Sequence, residues 1–405
     1  MQASRETCTI APKCPPRRRS LPPAAMTAFS FAAIVLLIAG SSAPTPLYRL
    51  YQRSMDLTPL MITVVFAVYA FSLLAALLTV GGLSDYVGRR PVIFGALLLN
   101  AAAMVLFAGA GDVTQLILAR AVQGPCVGAA TTALGAAMLD TNRQHGPLLN
   151  SVSPFLGMMI GALGSAALVS LAPDPLHLVY EVLLGLTVLM IALVWLMPES
   201  VDRKPGALAS LRPRVSVPVQ SRAVLLRITP ANVATWSLGG FYLSLMPTVV
   251  ASATGVTSPW VGGAVVATLM LIAAIVVGLF RHVPAERLIA LGTSTLALGV
   301  AVSLVGIARH SVGVLFAGTA IAGVGFGSSF SGVLRALLPS AELHQRGGLL
   351  AAFYVQSYLA MSLPAIAAGL AMPLLGLATV AYLYGAVIIG LALISLAASL
   401  WAARG

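Results

Sequence analysis

Charge is scarce in this sequence. Only 8% of its 405 residues are Asp, Glu, Lys or Arg, and the acids number 11 against 23 bases. Soluble domains carry about 25% charged residues. With 59% hydrophobic residues and a mean hydropathy of +0.97, the chain is excluded from the ordinary soluble enzymes, and lipid becomes its solvent. Cysteine is scarce too: Cys8, Cys14 and Cys126 are an odd three, two of them in the N-terminal tail. Neither a disulfide framework nor a zinc site is indicated, and Cys126 is expected to pack as a small apolar residue. No G-x-x-x-x-G-K-[ST] loop occurs, so nothing resembles an ATP site. No Ser and His fall at plausible depth on facing apolar runs, which counts against an intramembrane hydrolase. No enzyme activity, cofactor or metal is expected.

What is present is apolar length. Twelve runs are long enough to cross a bilayer, near 26–47, 58–81, 91–110, 114–138, 148–171, 177–197, 229–251, 258–280, 287–307, 312–337, 348–371 and 377–401. In hydrocarbon a spanning segment must satisfy its own backbone, so each run is predicted to be a helix of ~20 residues. Connections such as 111–113, 172–175 and 309–311 are short enough to force antiparallel neighbours. The expected organisation is a tail over 1–25, a six-helix bundle over 26–197, a linker over 198–227 rich in proline and arginine, and a second six-helix bundle over 228–405. The halves also align with each other. Gly124 and Gly128 fall on Gly323 and Gly327 at an offset of 199, and Gly81 falls on Gly278 at 197. This is the pattern of a parallel repeat about an axis along the membrane normal, an arrangement that binds solute near the midplane between the halves.

Nineteen of the 23 Lys and Arg lie in the tails and in the loops on one side of the membrane; the other side holds only Arg49, Arg53 and Arg309, and Arg120 lies inside a run. Basic loops stay inside, so both termini and the linker are expected in the cytoplasm. The net charge of +12 is then explained by anionic lipid headgroups rather than by a nucleic-acid partner. The tail with Arg17-Arg18-Arg19 could also pass for a signal peptide, but the run after it is long enough to span and lacks a clear small-residue cleavage site.

Between the second and third runs stands Gly81-Gly82-Leu83-Ser84-Asp85-Tyr86-Val87-Gly88-Arg89-Arg90. This stretch resembles the G-x-L-x-D-x-x-G-R-R/K signature of the major facilitator superfamily, and Arg120-Ala121-Val122-Gln123-Gly124 resembles the R-x-x-Q-G motif of that family's fourth helix. The resemblance implies an all-α membrane protein of twelve transmembrane helices in two pseudo-symmetric six-helix bundles. It also implies that Gly81, Leu83, Asp85, Gly88, Arg89 and Arg90 form a cytoplasmic gate that contacts the eleventh helix, with Asp140 the natural partner of Arg89. A solvated basic loop is the plainer alternative, and it accounts for the arginines but not for Asp85 between spaced glycines. Arg120, Gln123 and Gly124 share one helical face by their i, i+3, i+4 spacing. An arginine in hydrocarbon costs at least ~2.5 kcal/mol and should face a partner or a wet cavity, unless it snorkels to the outer surface. The fifth run departs from the proton-driven exporter motif, with Ala162 where proline is expected and Ser165 where glycine is expected. Gly157, Gly161 and Ser165 read as a small-residue packing stripe.

By analogy, helices one, four, seven and ten surround the solute. Asn232, Trp236 and Gly239 give the seventh run a polar-aromatic face, and Tyr354, Gln356 and Tyr358 on the eleventh are further candidates, with core packing a strong competitor for Trp236. Glu181, with His177 one turn before it, is the sole acid well inside a run; it is either a proton-coupling residue or an interfacial one reaching headgroups. The leading reading is a secondary active transporter that moves a small organic solute by alternating access, with proton-coupled efflux as one form. An uptake permease, a uniporter or a non-transporting membrane sensor are the alternatives. The expected setting is a monomer in the lipid bilayer of a bacterial inner membrane.

Overall fold

A computed structural model of the protein describes residues 22–171 and 173–402. The tail with its arginine triplet, Cys8 and Cys14, together with residue 172 and Arg404, lies outside the described residues. The described chain contains helices and no strand. In the first half the first span is α1 (Pro23–Ser42) continued by α2 (Pro44–Ser54). Then come α3 (Pro59–Thr79), the single-turn α4 (Ser84–Val87), α5 (Arg89–Ala108), α6 (Val113–Thr141), α7 (Gly146–Leu171) and α8 (Pro175–Val194). The linker carries one short turn, α9 (Ala207–Ser210). In the second half the bent pair α10 (Val219–Ser244) and α11 (Met246–Thr254) is followed by α12 (Pro259–Leu279), α13 (Ala285–Ala308), α14 (Val312–Leu337), α15 (Arg346–Leu375) and α16 (Leu377–Ala402). Eleven spans are long and apolar enough to cross a bilayer, and α10 with α11, bent by 66°, makes the twelfth.

Local sequence explains where the helices start. Thr58 caps α3 by accepting the Met61 N–H at 3.3 Å, with Pro59 in the first turn where no amide partner is needed. Asp112 caps α6 through the Gln115 N–H at 2.9 Å, and the Gln115 side chain returns to the Gly111 N–H at 2.7 Å. The seventh span differs from the sequence expectation at both ends. It begins at Val219, just after Pro218, rather than near 229, because hydropathy reports only the lipid-crossing part and the helix continues through the turns carrying Arg222 and Arg227. It also breaks at Leu245, since Pro247 has no N–H for the Leu243 carbonyl and its ring would clash with it. The freed Leu243 carbonyl accepts the Thr45 hydroxyl of the first half at 2.9 Å.

The repeat seen in the sequence has a physical counterpart. A Cβ on Gly128 would fall against Ala76 of α3, and one on Gly327 would fall against Ala273 of α12. Ala76 and Ala273 are separated by the same 197 positions as Gly81 and Gly278. In each half, therefore, the fourth span is seated on the second by matching small residues.

The halves meet where α7 packs on α12 and α3 on α15. Their tightest approaches are Gly263 against the Ala162 carbonyl and Gly369 against Leu60 and Thr63. Among the described residues, two side-chain hydrogen bonds join the halves directly, Thr45 to Leu243 at 2.9 Å and Arg49 to Thr257 at 3.4 Å. All four junctions lie toward the end of the bundle opposite the linker. At mid-depth the two sides meet through rings instead: Phe155 of α7 stands edge-on to Phe326 and Phe330 of α14, with centroids 6.0 and 5.3 Å apart.

Candidate functional site

The loop motif folds around Arg89. Its guanidinium donates to Asp85, to Ser84 at 2.7 Å and to Asp140 at 3.4 Å, so the expected pairing with Asp140 is present in the geometry. Arg89 is buried whereas Asp85 is 59% exposed on its side chain, and the Asp85 carboxylate bonds to Arg89 rather than to the start of α15. Gly88 is the helix cap of α5 with φ of 102°, a region that favours glycine, and a Cβ there would fall 2.7 Å from Glu199. A glycine cap has no side chain to satisfy the first amides. Glu199, just beyond α8, supplies the missing carboxylate: it accepts the Arg89 N–H at 2.7 Å and the Arg90 N–H at 3.0 Å. The linker adds a bond from the Lys204 N–H to the Tyr86 carbonyl at 2.8 Å, and Ser200 donates to Asp140 at 3.0 Å. Leu83 packs partly buried into the first-half core, and Gly81 follows the end of α3. Glu199 and Ser84 were not singled out from the sequence; the signal available was Pro198-Glu199-Ser200 directly after an apolar run.

Arg120 forms the second centre, and it is only 1% exposed. It donates to the Gln123 side chain at 2.7 Å, the Tyr48 hydroxyl at 2.7 Å and the Ser41 carbonyl at 2.9 Å. Its guanidinium carbon lies 5.1 Å from the Tyr69 ring centroid, 5.5 Å from Phe107 and 6.0 Å from Tyr48. No carboxylate pairs with it among the described residues. The cage has a local cause. The first span breaks at Ala43, and Pro44 has no N–H for the Gly40 carbonyl, which accepts Gln123 Nε2 at 3.0 Å instead. Arg120 and Gln123 thus hold the carbonyls loosened by that break. Gly124, on the same motif, has a different part: a Cβ there would lie 2.6 Å from the Leu73 nitrogen and 2.8 Å from the Tyr69 carbonyl, so it sets the close approach of α6 to α3. The aligned position in the second half is Thr319, which shares a 2.9 Å hydrogen bond with the Tyr242 hydroxyl.

Glu181 does not join this cage. It is exposed, while Tyr180 beside it is buried, stacked on Phe107 at 4.8 Å and bonded to the Tyr51 hydroxyl at 2.9 Å. His177 pairs with Asp174 at 2.8 Å, not with Glu181.

The third group is the polar-aromatic face of α10 and α15. Asn232 donates to Gln356 and to Ser357 at 2.9 Å each, and Gln356 donates to Thr229 at 2.8 Å. The amides expected to meet solute are thereby engaged with one another, tying α10 to α15 within the second half. The aromatic part stays half-buried and faces the seam between the halves. Trp236 lies 5.1 Å from Tyr358 and 6.5 Å from Phe330, and Tyr354 lies 6.3 Å from Tyr358. Tyr358 packs among Phe66 and Ala70 of α3 and Met361 of α15. Gly239 leaves room for the Phe326 ring, 3.2 Å from where its Cβ would be.

The family profile of the Major Facilitator Superfamily matches residues 30–363. The chain belongs to the major facilitator superfamily. Solved structures of transporters share its fold. The human organic anion transporter MFSD10 (TETRAN) matches with a TM-score of 0.65 and 16% identity, over 93% of this chain and 100% of that one. A bacterial homolog of the human lysosomal transporter Spinster, in an inward-facing and unoccupied conformation, matches with a TM-score of 0.75 and 12% identity, over 93% and 97%. No curated protein matches the chain significantly. As a member of this superfamily the chain is an integral multi-pass membrane protein of the transporter class, and its loop motif, Arg120 cage and aromatic seam lie on a transporter scaffold.

Proposed function

We propose that the chain is a secondary carrier that moves a small neutral or anionic organic solute by rocking one half against the other, working as a monomer with its linker in the cytoplasm of a bacterial inner membrane. One observation carries this reading: the halves are bonded to each other at the end opposite the linker, and beneath that junction the seam is lined by Trp236, Tyr358, Phe330 and Phe155. Aromatic faces with a few polar groups are the usual lining of solute sites, and a closed end opposite the linker corresponds to one state of an alternating cycle. The solute class follows from charge. Glu181 is exposed, and among the described residues the one charge enclosed at depth is the Arg120 guanidinium. An arginine keeps its charge throughout, so the interior carries a fixed positive potential that disfavours cations.

The test begins with a solute-dependent thermal-shift screen, and hits are taken into proteoliposome flux. A bifunctional thiol crosslink between cysteines placed at Thr45 and Leu243 should stop flux of the hit and release it on cleavage. Binding without flux in the uncrosslinked protein would overturn the carrier reading in favour of a sensor. Running flux against imposed pH gradients in both directions decides between efflux, uptake and uniport.

A further inference from the structure

Two of the three basic residues at the end opposite the linker converge on one cavity. Arg49 and Arg53 of α2 line a pocket of about 220 Å³, which is closed on the other side by Pro247, Thr257, Ser258 and Gly262 of the second half. Arginines at i and i+4 repel each other. Neither has a carboxylate within ion-pair distance among the described residues. Arg49 spends one donor on the Thr257 carbonyl at 3.4 Å, and its remaining donors, with those of Arg53, are free to face a ligand. The opposite wall is built for the same sign of ligand. Ser258 stands at the cap position of α12 without making a capping bond, so its hydroxyl and the positive end of that helix are both available. The volume lies below the ~300–1,000 Å³ of drug-sized sites, a size that suits a small ligand, and the two arginines favour an anionic one.

The geometry points to a binding site for a small organic carboxylate at this outer mouth, held in a fork by Arg49 and Arg53 and by the Ser258 hydroxyl. Because the walls come from both halves, the site is complete while this end is closed, and an occupant biases the protein toward that state. The inference extends the carrier reading, and it rests on that reading only for the meaning of the closed end.

The test uses the full chain with Cys8→Ser and Cys14→Ser, reconstituted in phosphatidylcholine vesicles, with Ser258→Cys as the reporter; Cys126 is fully buried. Two membrane-impermeant methanethiosulfonates are compared, the anionic ethylsulfonate and the cationic ethyltrimethylammonium. The anionic reagent should react roughly tenfold faster relative to a free thiol, the lower range of electrostatic focusing. Arg49→Gln with Arg53→Gln should erase that preference, and Arg49→Lys with Arg53→Lys should keep it. Benzoate should protect the cysteine and benzamide should not. Equal rates for the two reagents, a preference that survives the paired glutamine variant, or equal protection by benzamide would overturn the site. Slower reaction with both reagents on adding phosphatidylglycerol, without benzoate, would assign the pocket to a lipid headgroup and equally overturn it, whereas surface potential alone would slow the anionic reagent and speed the cationic one. If the glutamine pair fails to fold, the lysine pair and benzoate protection of the parent still decide. Since nothing here depends on flux, failure of this site leaves the carrier reading standing.

Discussion

The carboxylate of Glu199 lies 2.7 Å from the backbone nitrogen of Arg89, a residue 110 positions earlier in the chain. The loop motif is therefore closed from outside itself: Gly88 opens α5 without a capping side chain, and the chain leaving α8 returns to provide one.

Glu199→Ala should destabilise the protein by about 1–2 kcal/mol, the range of a lost helix cap strengthened by charge at a helix N-terminus. Glu199→Gln, which keeps an acceptor, should lose less. Thermal unfolding of the detergent-solubilised protein reads both, and an unchanged Tm in the alanine variant would remove the cap from the account.

Arg120→Lys should be harmful although it preserves charge. The lysine cannot reach the Ser41 carbonyl, the Tyr48 hydroxyl and the Gln123 side chain in one plane. Each hydrogen bond to a charged group contributes roughly 1.5–3 kcal/mol, so a loss of at least one should appear as a lower Tm. Tyr48→Phe should show part of the same loss. Stability equal to the parent in both variants would mean that the cage is not what holds the broken first span.

Asp85→Asn should leave stability almost unchanged. The side chain is 59% exposed, and exposed ion pairs contribute about 0–1 kcal/mol. If the loop acts as a latch, the variant shifts the balance of access states, read as altered labelling of single cysteines placed on either side of the Trp236 seam. A lowered Tm with unaltered labelling would make Asp85 structural.

Glu181→Gln should leave solute flux in proteoliposomes, and any dependence of it on an imposed pH gradient, as in the parent, because the side chain is exposed and stands away from the Arg120 cage. Abolished uphill transport with normal exchange would restore Glu181 as the coupling residue.

Much of the scaffold was legible because hydrocarbon imposes one rule on every span. Apolar length reported the twelve spans, and the aligned glycines reported how the fourth span sits on the second. Arg89 with Asp140 was legible as well, since complementary charges stand at neighbouring helix ends. What escaped was of three kinds. Glu199 acts across 110 residues, and no local pattern announces such a contact. Glu181 has two readings in the sequence, coupling or interfacial, because at 3.6 residues per turn the single step from buried Tyr180 turns a side chain by about 100°, and the sequence does not say which face is covered. The amides of Asn232 and Gln356 were visible as polar groups, but whether they meet a solute or each other depends on the packing of α10 on α15. The proline breaks were readable in principle at Pro44 and Pro247, though hydropathy averages over them.

The cap from Glu199 also sets an order of events during synthesis. When α5 leaves the ribosome its first amides have no partner, and the residue that completes them is made 110 positions later. At roughly 5–20 residues per second that interval is about 5–20 s. Throughout it the loop before α5 is unfinished, and it becomes a fixed structure only once the sixth span has been translated. The first half is thus sealed by a residue that lies just past its own end.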